Sequence, residues 1–427
     1  MNARAAALRA MLRGEDVTAS LDATLHEAGL DARDTGFATE LAYGTTKMRR
    51  ALEWSIQTAL KRPFASLDVA LQRILLLGAY QLLYLDRIPV HGAVDESVKL
   101  ARAYGHAGTA GLANAVLRAI ARDRPKPKRP ASDDTVADFA TFASLPDWIA
   151  EHYIARFGFN DALRAAEGLN APPARAVRLD IGQSPPPDAR PSPYGVPETA
   201  LVESLTDAAR AYASQSAESQ LAVHLLDPRA GETVLDICAG RGTKTAMIAQ
   251  RLGGAGAIFS VDDDDAKLSV LKRDNKRWPN ITAVIADARK PFAPSIPRDV
   301  DRALVDAPCS GLGILGRRPD ARWRKSPGDP ERFAPVQRAI LTAAADRVRV
   351  GGSLLYVTCS THEAEDEVPV QSFLAGNAQW RAVTIERSKL VPGDHDRMRQ
   401  RGPYLQIVPG IHGADGFFYA LLERRSA

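Results

Sequence analysis

Two cysteines follow strand-like apolar runs 50 residues apart, and this arrangement suggests that one reaction uses both thiols. Cys309 lies in the segment Asp306–Gly311, and Cys359 lies in the segment Thr358–Ser360. A thiolate that adds to carbon 6 of a pyrimidine breaks the conjugation of the ring, so that carbon 5 can attack an electrophilic methyl group. A base then removes the hydrogen at carbon 5, and the thiol is eliminated. The pair therefore predicts methyl transfer to a ring carbon.

A structural interpretation of the cysteines has to be weighed against this one. A single cysteine at the end of a strand is more often a small core residue than a nucleophile. Two of them, each beside a hydroxyl residue at the end of a strand, favour catalysis instead. A free thiol has a pKa of roughly 8.5, so the attacking cysteine needs activation by its surroundings. Methylation of an amino group needs no cysteine at all.

A glycine-rich turn upstream of both cysteines has the pattern of a nucleotide-type cofactor site. Asp236 closes a strand, and Gly240 and Gly242 permit a tight turn into a helix that begins near Thr243. Glycine lets the backbone approach a ligand closely, and the amino terminus of a helix favours a negative group. The turn alone is weak evidence, because short glycine patterns are common.

Acidic residues at the ends of the next two strands strengthen the prediction of a cofactor site. Asp262 follows the glycines by about 20 residues, where a carboxylate can accept hydrogen bonds from ribose hydroxyls. Asp287 ends the third strand and could accept from an adenine amino group. For Asp287 a helix or turn cap is an equally good interpretation of the residues alone.

The elements that position these residues alternate between short apolar runs and helical segments from about residue 218. The apolar runs span residues 234–237, 257–261, 282–285, 302–305 and 353–357. Such alternation predicts βαβ units and a mostly parallel sheet. Ligands bind beyond the carboxyl ends of such strands, and all the residues singled out above lie at those ends.

The amino-terminal part is predicted to be helical up to about residue 121, because Leu and Ala recur at three-to-four-residue spacing. Arg122–Pro130 is typical of a stiff, basic linker, and a short strand is expected at 176–179. We therefore expect an all-α domain followed by an α/β domain. The expected boundaries are 1–125 for the helical domain, 126–217 for a linker with a small module, and 218–427 for the sheet domain.

Composition narrows the class of protein. Three cysteines in 427 residues argue against a disulfide framework and favour a reducing, cytoplasmic location. No apolar run is long enough for a transmembrane helix. Residues 1–130 carry 19 Lys/Arg against 13 Asp/Glu. This basic surplus is consistent with a polyanionic partner, and equally with an ordinary solvated surface.

Taken together, the motifs resemble the RsmB/Sun family of ribosomal RNA (cytosine-5) methyltransferases, within the NOL1/NOP2/Sun superfamily. Asp306–Gly311 and Thr358–Ser360 match the two cysteine motifs of the family, and the segments 316–323, 351–356 and 413–418 match as well. The resemblance covers nearly the whole chain. It implies a Rossmann-like sheet that uses S-adenosylmethionine, with small-subunit (16S) ribosomal RNA as substrate. Transfer RNA as substrate, or a non-catalytic RNA-binding role in ribosome assembly, are the alternatives.

The resemblance also implies roles for individual residues. Cys359 would be the nucleophile, and Cys309 would assist release of the product from it. That Asp306 helps to orient the target base is a hypothesis. The implied cofactor contacts are Cys238, Ala239, Gly240, Arg241, Gly242, Thr243, Lys244, Asp262, Asp287 and Asp306. No metal is expected. Arg241 and Thr243 replace a proline and a glycine of the usual family loop, so Arg241 could reach the cofactor carboxylate or weaken its binding.

The amino-terminal region resembles the NusB-type RNA-binding helical domain, through the segments 37–46, 88–96 and 114–118. The expected phosphate contacts in this region are Arg49, Arg50, Lys61 and Arg62. Between about 170 and 215 the family carries a small RNA-binding-like module, which is shortened and proline-rich in this chain. We expect a monomer that binds RNA and no membrane.

Overall fold

A computed structural model describes residues 1–14, 16–203, 209, 211–391 and 398–426, which form two compact units. We call Met1–Asn170 with Leu315–Lys325 the helical unit, and Ala171–Ile314 with Ser326–Ala427 the sheet unit. These boundaries differ from those expected near residues 125 and 217, because the helices between residues 136 and 170 pack within the helical unit. Residues 204–208 and 210 of the expected small module lie outside the described residues.

The helical unit consists of helices of 8 to 17 residues that pack around one leucine-rich helix. Its long elements are α1 (Ala3–Arg13), α2 (Val17–Ala28), α3 (Ala32–Lys47), α4 (Arg49–Gln57), α5 (Val69–Tyr84), α6 (Val90–Ala103), α7 (Ala107–Asp123), α8 (Val136–Ala143), α9 (Asp147–Phe157) and α10 (Phe159–Asn170). A 3₁₀ turn spans Phe64–Ser66, and a single helical turn spans Ala321–Arg324. Among the described residues no helix is long and apolar enough to cross a membrane.

Helix α5 forms the centre of the helical unit because its middle and last turns are apolar on nearly every side. Every residue from 74 to 83 is buried. A helix without a polar face has to be surrounded by others. Asp68 caps its amino terminus by accepting from the N–H of Ala70 at 2.8 Å. Gly44 of α3 permits the contact with the Tyr80 ring, since a Cβ there would lie 2.1 Å from ring atoms.

Arg50, which the sequence suggested as a phosphate contact, is used inside the helical unit instead. Its guanidinium donates to the carbonyl of Leu145 at 3.0 Å and to the hydroxyl of Thr141 at 3.2 Å. It also pairs with Asp147 at 2.8 Å. The Arg50 side chain therefore joins α4 to the segment that contains α8 and α9. This contact explains why these helices belong to the same unit.

The segment Leu315–Lys325 belongs to the helical unit, although the sequence placed its motif with the methyltransferase domain. Arg322 is fully buried at its centre. The Arg322 guanidinium donates hydrogen bonds of 2.7–3.3 Å to four oxygen atoms, which are Lys47 O, Ser144 O, Leu169 O and Asn170 Oδ1. The match at 316–323 therefore marks a structural contribution to the helical unit.

The sheet unit begins with a small antiparallel sheet in the order β2-β3-β1-β4. Its strands are β1 (Arg175–Arg178), β2 (Arg190–Pro191), β3 (Thr199–Val202) and β4 (Ala213–Ser214). The strand predicted at 176–179 is thus confirmed, one residue earlier. Arg178 is buried and donates to the carbonyl of Thr243 at 2.8 Å. This bond ties the small sheet to the glycine-rich turn.

The main sheet has the order β11-β12-β13-β9-β8-β5-β6-β7, with β10 paired to β13. Its strands are β5 (Thr233–Ile237), β6 (Ala257–Asp262), β7 (Ile281–Ile285), β8 (Val300–Asp306), β9 (Val348–Thr358), β10 (Trp380–Val383), β11 (Arg399–Arg401), β12 (Tyr404–Ile407) and β13 (Phe417–Arg424). The strands β5 to β9 are parallel and confirm the five predicted runs. The antiparallel strands β10 to β13 were not predicted.

Helices connect and cover the strands of the main sheet. They are α11 (Ala217–Leu226), α12 (Thr243–Leu252), α13 (Asp265–Asp274), α14 (Asp329–Ala345) and α15 (Glu367–Gly376), with a single turn at Arg387–Leu390 and a 3₁₀ turn at Leu312–Ile314. Two apolar clusters lie against the sheet, one centred on Val305 and Tyr356 and the other on Leu304 and Val357. Alternate side chains of β8 and β9 enter opposite clusters, as the period of a strand requires.

Candidate active site

The carboxyl ends of β5 and β8 mark the point where the strand order changes direction. The strands β6 and β7 lie on one side of β5, and β8 and β9 lie on the other. In a sheet of this kind a crevice opens at that point. Asp236, the penultimate residue of the β5 segment, is fully buried beneath it. The Thr245 hydroxyl donates to Asp236 at 2.5 Å, and burial raises the pKa of the carboxyl to about 7.

The turn that follows β5 has an unusual backbone, which explains its residue types. Cys238, Gly240 and Gly242 have φ angles of +59°, +56° and +79°. A Cβ on Gly242 would lie 2.5 Å from the side chain of Leu271, whereas nothing lies within 4 Å of the same position on Gly240. Gly242 therefore lets the turn pack against α13, and Gly240 borders open space. Because Gly242 has no side chain to cap α12, the first N–H groups of that helix can receive an anionic group.

Asp262 holds the glycine-rich turn in place from the end of β6. One carboxylate oxygen accepts from the N–H of Gly240 at 2.8 Å, and the other accepts from the N–H of Asp264 at 3.1 Å. Each carboxylate oxygen can accept a further hydrogen bond. Asp262 can therefore fix the turn and still accept from a hydroxyl group of a ligand.

Asp287 lies just beyond β7, but its carboxylate is occupied. The Arg289 side chain donates to both oxygens at 2.7 and 2.9 Å, and the backbone N–H of Arg289 donates at 3.0 Å. The side-chain hydrogen bond from Arg289 lowers the pKa of Asp287. These contacts correspond to the turn-cap interpretation. Contact with an adenine amino group would require the exposed Arg289 side chain to turn aside.

Lys244 and Asp306 form a salt bridge between α12 and β8. Lys244 Nζ lies 2.6 Å from Asp306 Oδ2, and the side chains are 12% and 33% exposed. Burial alone would lower the pKa of Lys244, but the charge of Asp306 and the hydrogen bond to it outweigh burial and raise that pKa. The negative form of Cys359 also favours the ammonium form of Lys244. The glycine-rich turn and the Asp306–Gly311 segment thus meet at this ion pair.

The two predicted cysteines are brought together. Cys309 Sγ lies 3.3 Å from Cys359 Sγ, and each side chain keeps some accessible surface. The hydrogen bond with Cys359, followed by burial, raises the pKa of the Cys309 thiol well above its usual range. Cys309 therefore keeps its proton at neutral pH.

A buried carboxylate that the sequence did not single out joins the loops that carry the cysteines. Glu365 is fully buried. It accepts from the backbone N–H of Ser310 at 2.6 Å and also from the hydroxyl of that residue. The Ser360 hydroxyl donates to it at 2.6 Å. Because Ser310 follows Cys309 and Ser360 follows Cys359, Glu365 fixes the two cysteine loops relative to each other.

Backbone contacts close the same site from the side of β13. The N–H of Gly313 donates to the carbonyl of Cys359 at 2.9 Å, and the N–H of Gly416 donates to the carbonyl of Gly313 at 2.7 Å. A Cβ on Gly313 would lie 2.2 Å from the carbonyl oxygen of Gly416. The ring of Phe417 lies 5.9 Å from Lys244 Nζ. The segment 413–418, noted for its sequence, thus packs against the cysteine loops.

The structure places most of the predicted site residues around one crevice. Three pairs of them are in direct contact with each other. Lys244 meets Asp306, Cys309 meets Cys359, and Gly240 meets Asp262. Arg241 is exposed. The sequence placed Asp236 at the end of a strand but assigned no role to it or to its partner Thr245, and it did not single out Glu365 with its two serines. Within the described ranges, no group of three or more His, Cys, Asp or Glu residues is arranged to hold a metal ion.

Comparisons with known proteins show which family the sequence matches. The model of the family described as 16S rRNA methyltransferase RsmB/F matches residues 223–423, and the NusB family model matches residues 1–122. A Synechocystis protein named as a probable ribosomal RNA small subunit methyltransferase B is 32% identical, over 95% of this chain and 94% of the relative. The ribosomal RNA small subunit methyltransferase B of Vibrio cholerae is 31% identical, over 100% and 98% respectively.

Solved structures give the same result for the fold. The crystal structure of PH0851 matches with a TM-score of 0.79 at 23% identity, covering 99% of this chain and 98% of PH0851. At this identity the likeness concerns the fold alone. With the two family models it confirms the predicted fold class, a NusB-like helical domain followed by a methyltransferase sheet.

Proposed function

Because this chain belongs to the RsmB/F family of S-adenosylmethionine-dependent ribosomal RNA methyltransferases, we propose that it methylates carbon 5 of a cytosine in small-subunit ribosomal RNA. In this proposal the reaction passes through a covalent adduct between a cysteine and carbon 6. The observation that supports it most directly is the 3.3 Å separation of the Cys309 and Cys359 sulfur atoms. Methylation of a base amino group would need neither thiol.

The residues of the glycine-rich turn fit S-adenosylmethionine. Gly240 borders open space, the amino terminus of α12 offers free N–H groups, and Asp262 retains acceptor capacity for hydroxyl groups. When bound there, this cofactor supplies an electrophilic methyl group. Cys238–Lys244 and Asp262 would hold it, and Asp306 would orient the base.

The roles of the two cysteines follow from their surroundings. Cys359 attacks carbon 6 as a thiolate, favoured by the positive charge of Lys244, which Asp306 holds in place. The new sulfur–carbon bond makes carbon 5 nucleophilic. After carbon 5 is methylated, a base takes its hydrogen as a proton, the electron pair re-forms the double bond between carbons 5 and 6, and the sulfur of Cys359 leaves as a thiolate. Cys309, 3.3 Å away, assists this release.

Replacement of each cysteine by alanine tests the two roles. We expect Cys359→Ala to abolish methyl transfer and to form no adduct, with cofactor binding retained. We expect Cys309→Ala to accumulate a covalent protein–RNA complex, visible as a slower band on a denaturing gel, because release fails. If the two variants behave alike and neither forms an adduct, the assigned roles are wrong.

The substrate and base are tested by transfer of labelled methyl groups to purified small-subunit ribosomal RNA, followed by digestion to nucleosides. Label in 5-methylcytidine supports the proposal as a whole. Label on transfer RNA alone keeps the chemistry and rejects the substrate. Absence of label on both, together with no heat of cofactor binding in calorimetry, favours the alternative of a non-catalytic RNA-binding protein.

A further inference from the structure

The helical unit contains a pocket of about 270 Å³ that the proposed chemistry does not use. Its wall includes Thr45, Arg49, Arg73, Leu76, Asp320 and Trp323, and we call it the Arg73 pocket. All of its lining residues belong to the helical unit, so the pocket is complete within that unit. Both cysteines lie in the sheet unit. The pocket is therefore a separate site.

Arg73 is the main reason to expect a ligand. It lies partly buried on α5 and, among the described residues, no acceptor forms a hydrogen bond or ion pair with its guanidinium. Burial lowers its pKa and the positive charge of Arg49 lowers it further, whereas the negative charge of Glu53 acts in the opposite direction without outweighing them. A partly buried cation that no acceptor contacts directly is costly, and an anionic ligand in contact with it would reduce that cost.

Arg49 and Trp323 provide a planar surface next to that charge. The Arg49 guanidinium lies 5.4 Å from the ring centroid of Trp323. The indole N–H donates to the carbonyl of Thr46 at 2.8 Å, which fixes the orientation of the ring. Arg49 uses one N–H for Glu53 at 2.8 Å and keeps further donors. Stacked Arg and Trp side chains are surfaces on which nucleic-acid bases pack.

Thr45 supplies a second polar group without a partner. The residue is fully buried in the pocket wall, and its hydroxyl forms no hydrogen bond with the described residues. Buried hydroxyl groups are normally paired, so such an exception calls for a physical reason. A ligand oxygen in the pocket would be such a partner.

The acidic residue of the wall does not cancel this positive charge. Asp320 pairs with Arg324 at 2.6 Å, and Arg324 also lies 3.6 Å from Asp16, so the charge of Asp320 is only partly compensated. Arg49 is likewise paired with Glu53, which leaves Arg73 as the cation of the wall without a direct ion pair among the described residues. Among the described lining residues, Arg73, Arg49 and Arg324 are cationic, Asp320 is acidic, and Leu76 and Val69 are apolar. The pocket combines positive charge, a flat aromatic surface and an apolar wall, at a volume near the lower end of ligand sites.

We propose that the Arg73 pocket binds one unpaired nucleotide of an RNA strand, with its phosphate at Arg73 and Arg49 and its base against Trp323. Sequence-independent affinity for RNA comes mainly from phosphate contacts, whereas single-stranded bases add stacking energy. An acidic protein segment would use the arginines but not the aromatic surface. The volume admits one nucleotide, so the strand enters by a base turned out of its stack.

The test is the affinity of the full chain for a short, labelled single-stranded RNA, measured by fluorescence anisotropy at several salt concentrations. Arg73→Met should weaken binding by about tenfold and reduce the salt slope by about 1. The exposed Arg102 of α6 gives a control with the same loss of charge, and Arg102→Met should leave both quantities nearly unchanged. Equal behaviour of the two variants overturns the proposal.

Thr45→Val separates binding from folding. Because the hydroxyl has no partner to lose, the midpoint of thermal unfolding should stay the same or rise, while RNA affinity falls roughly threefold. Loss of stability together with loss of affinity would mean that the hydroxyl has a structural role, and would count against the site.

Competition identifies the chemical class of the ligand. Cytidine monophosphate should displace the RNA and quench the fluorescence of Trp323, a quench that is absent in Trp323→Phe. Displacement by inorganic phosphate or by an acidic peptide at the same concentrations would overturn base recognition. No methyl transfer is measured in these experiments, so failure of this site is distinguishable from failure of the active site.

Discussion

A buried side chain lies at the centre of a hydrogen-bond network in each unit, Arg322 in the helical unit and Glu365 in the sheet unit. The two networks differ in the groups that they hold. Arg322 donates to three backbone carbonyls and one side-chain amide. Burial lowers its pKa to about 9. Glu365 accepts from the side chain and backbone of Ser310 and from the hydroxyl of Ser360. One network holds helices together, and the other holds two loops that carry thiols.

Because of this difference, we expect the Arg322 network to contribute to stability and the Glu365 network to contribute to the geometry of the site. The acceptors of Arg322 are oxygen atoms of the fold itself, and no reacting group is attached to them. The donors of Glu365 lie one residue after Cys309 and Cys359, whose sulfur atoms are 3.3 Å apart. A shift of one loop by a fraction of an ångström would change that separation while leaving the sheet intact. We therefore expect the two networks to respond differently to removal of the central charge.

Arg322→Met should show the largest effect, and it should appear in stability. Four buried oxygen atoms lose their donor, which costs about 3–5 kcal/mol of unfolding free energy. Urea denaturation measures this loss. Arg318 is exposed three residues before the helical turn Ala321–Arg324, and Arg318→Met removes the same charge as a control. A loss no larger than that of Arg318→Met would mean that the network does not hold the helices.

Glu365→Gln should instead lower turnover out of proportion to stability. The amide nitrogen of Gln would face donors on Ser310 or Ser360, so the two loops would separate. We expect methyl transfer to fall roughly 10²-fold, with a stability loss of about 1–2 kcal/mol. The rate per folded molecule is the quantity to compare.

The exposed Glu363 offers the matched control for that measurement, because Glu363→Gln makes the same chemical change two residues away. Its turnover should remain close to that of the unsubstituted protein. If the rate of Glu365→Gln falls only as far as the folded fraction falls, Glu365 is structural in the same sense as Arg322, and the contrast between the two units disappears.

The sequence predicted the parts of the site that depend on local patterns. Cys309, Cys359, Asp262 and the glycine turn each lie at the end of a strand, where apolar runs and special residues occur together in the chain. The parallel order of β5 to β9 then brings those ends to one edge. Strand periodicity and turn chemistry are short-range properties, which explains why they can be recognised without coordinates.

The parts that were missed depend on contacts between distant segments. Glu365 lies in the acidic run 363–367, and no periodicity distinguishes the buried members of that run from the exposed ones. Arg322 lies in a polar stretch typical of an exposed loop, yet its acceptors are more than 150 residues away in sequence. Arg50 resembles a phosphate contact until α8 and α9 are placed beside it. Burial of a charge is decided by its partners, which sequence spacing does not reveal.

A change at Asp236 should give the smallest effect, a change in how stability depends on pH. It tests whether a buried carboxyl with only one hydrogen-bonded oxygen behaves differently from Arg322 and Glu365. Thr245 donates to one oxygen, and the other has no partner among the described residues. Burial raises the pKa of Asp236 from an ordinary value of 3.8 to about 7 in the folded state. Between these values the folded protein binds more protons than the unfolded chain, so this group makes stability fall as the pH rises from about 4 to about 7.

Asp236→Asn resembles the protonated carboxyl and should remove that fall. Measured by urea denaturation, the stability of the variant relative to the unsubstituted protein should increase by about 1–2 kcal/mol between about pH 5 and pH 7. Asp263, exposed just beyond β6, provides a control of equal charge, and Asp263→Asn should follow the unsubstituted protein at both pH values. A parallel pH dependence in Asp236→Asn would mean that the Asp236 carboxyl is ionised in the folded protein. In that case the second oxygen of Asp236 would have to accept a hydrogen bond from solvent. The cofactor turn would then lie against a carboxylate with both oxygens paired.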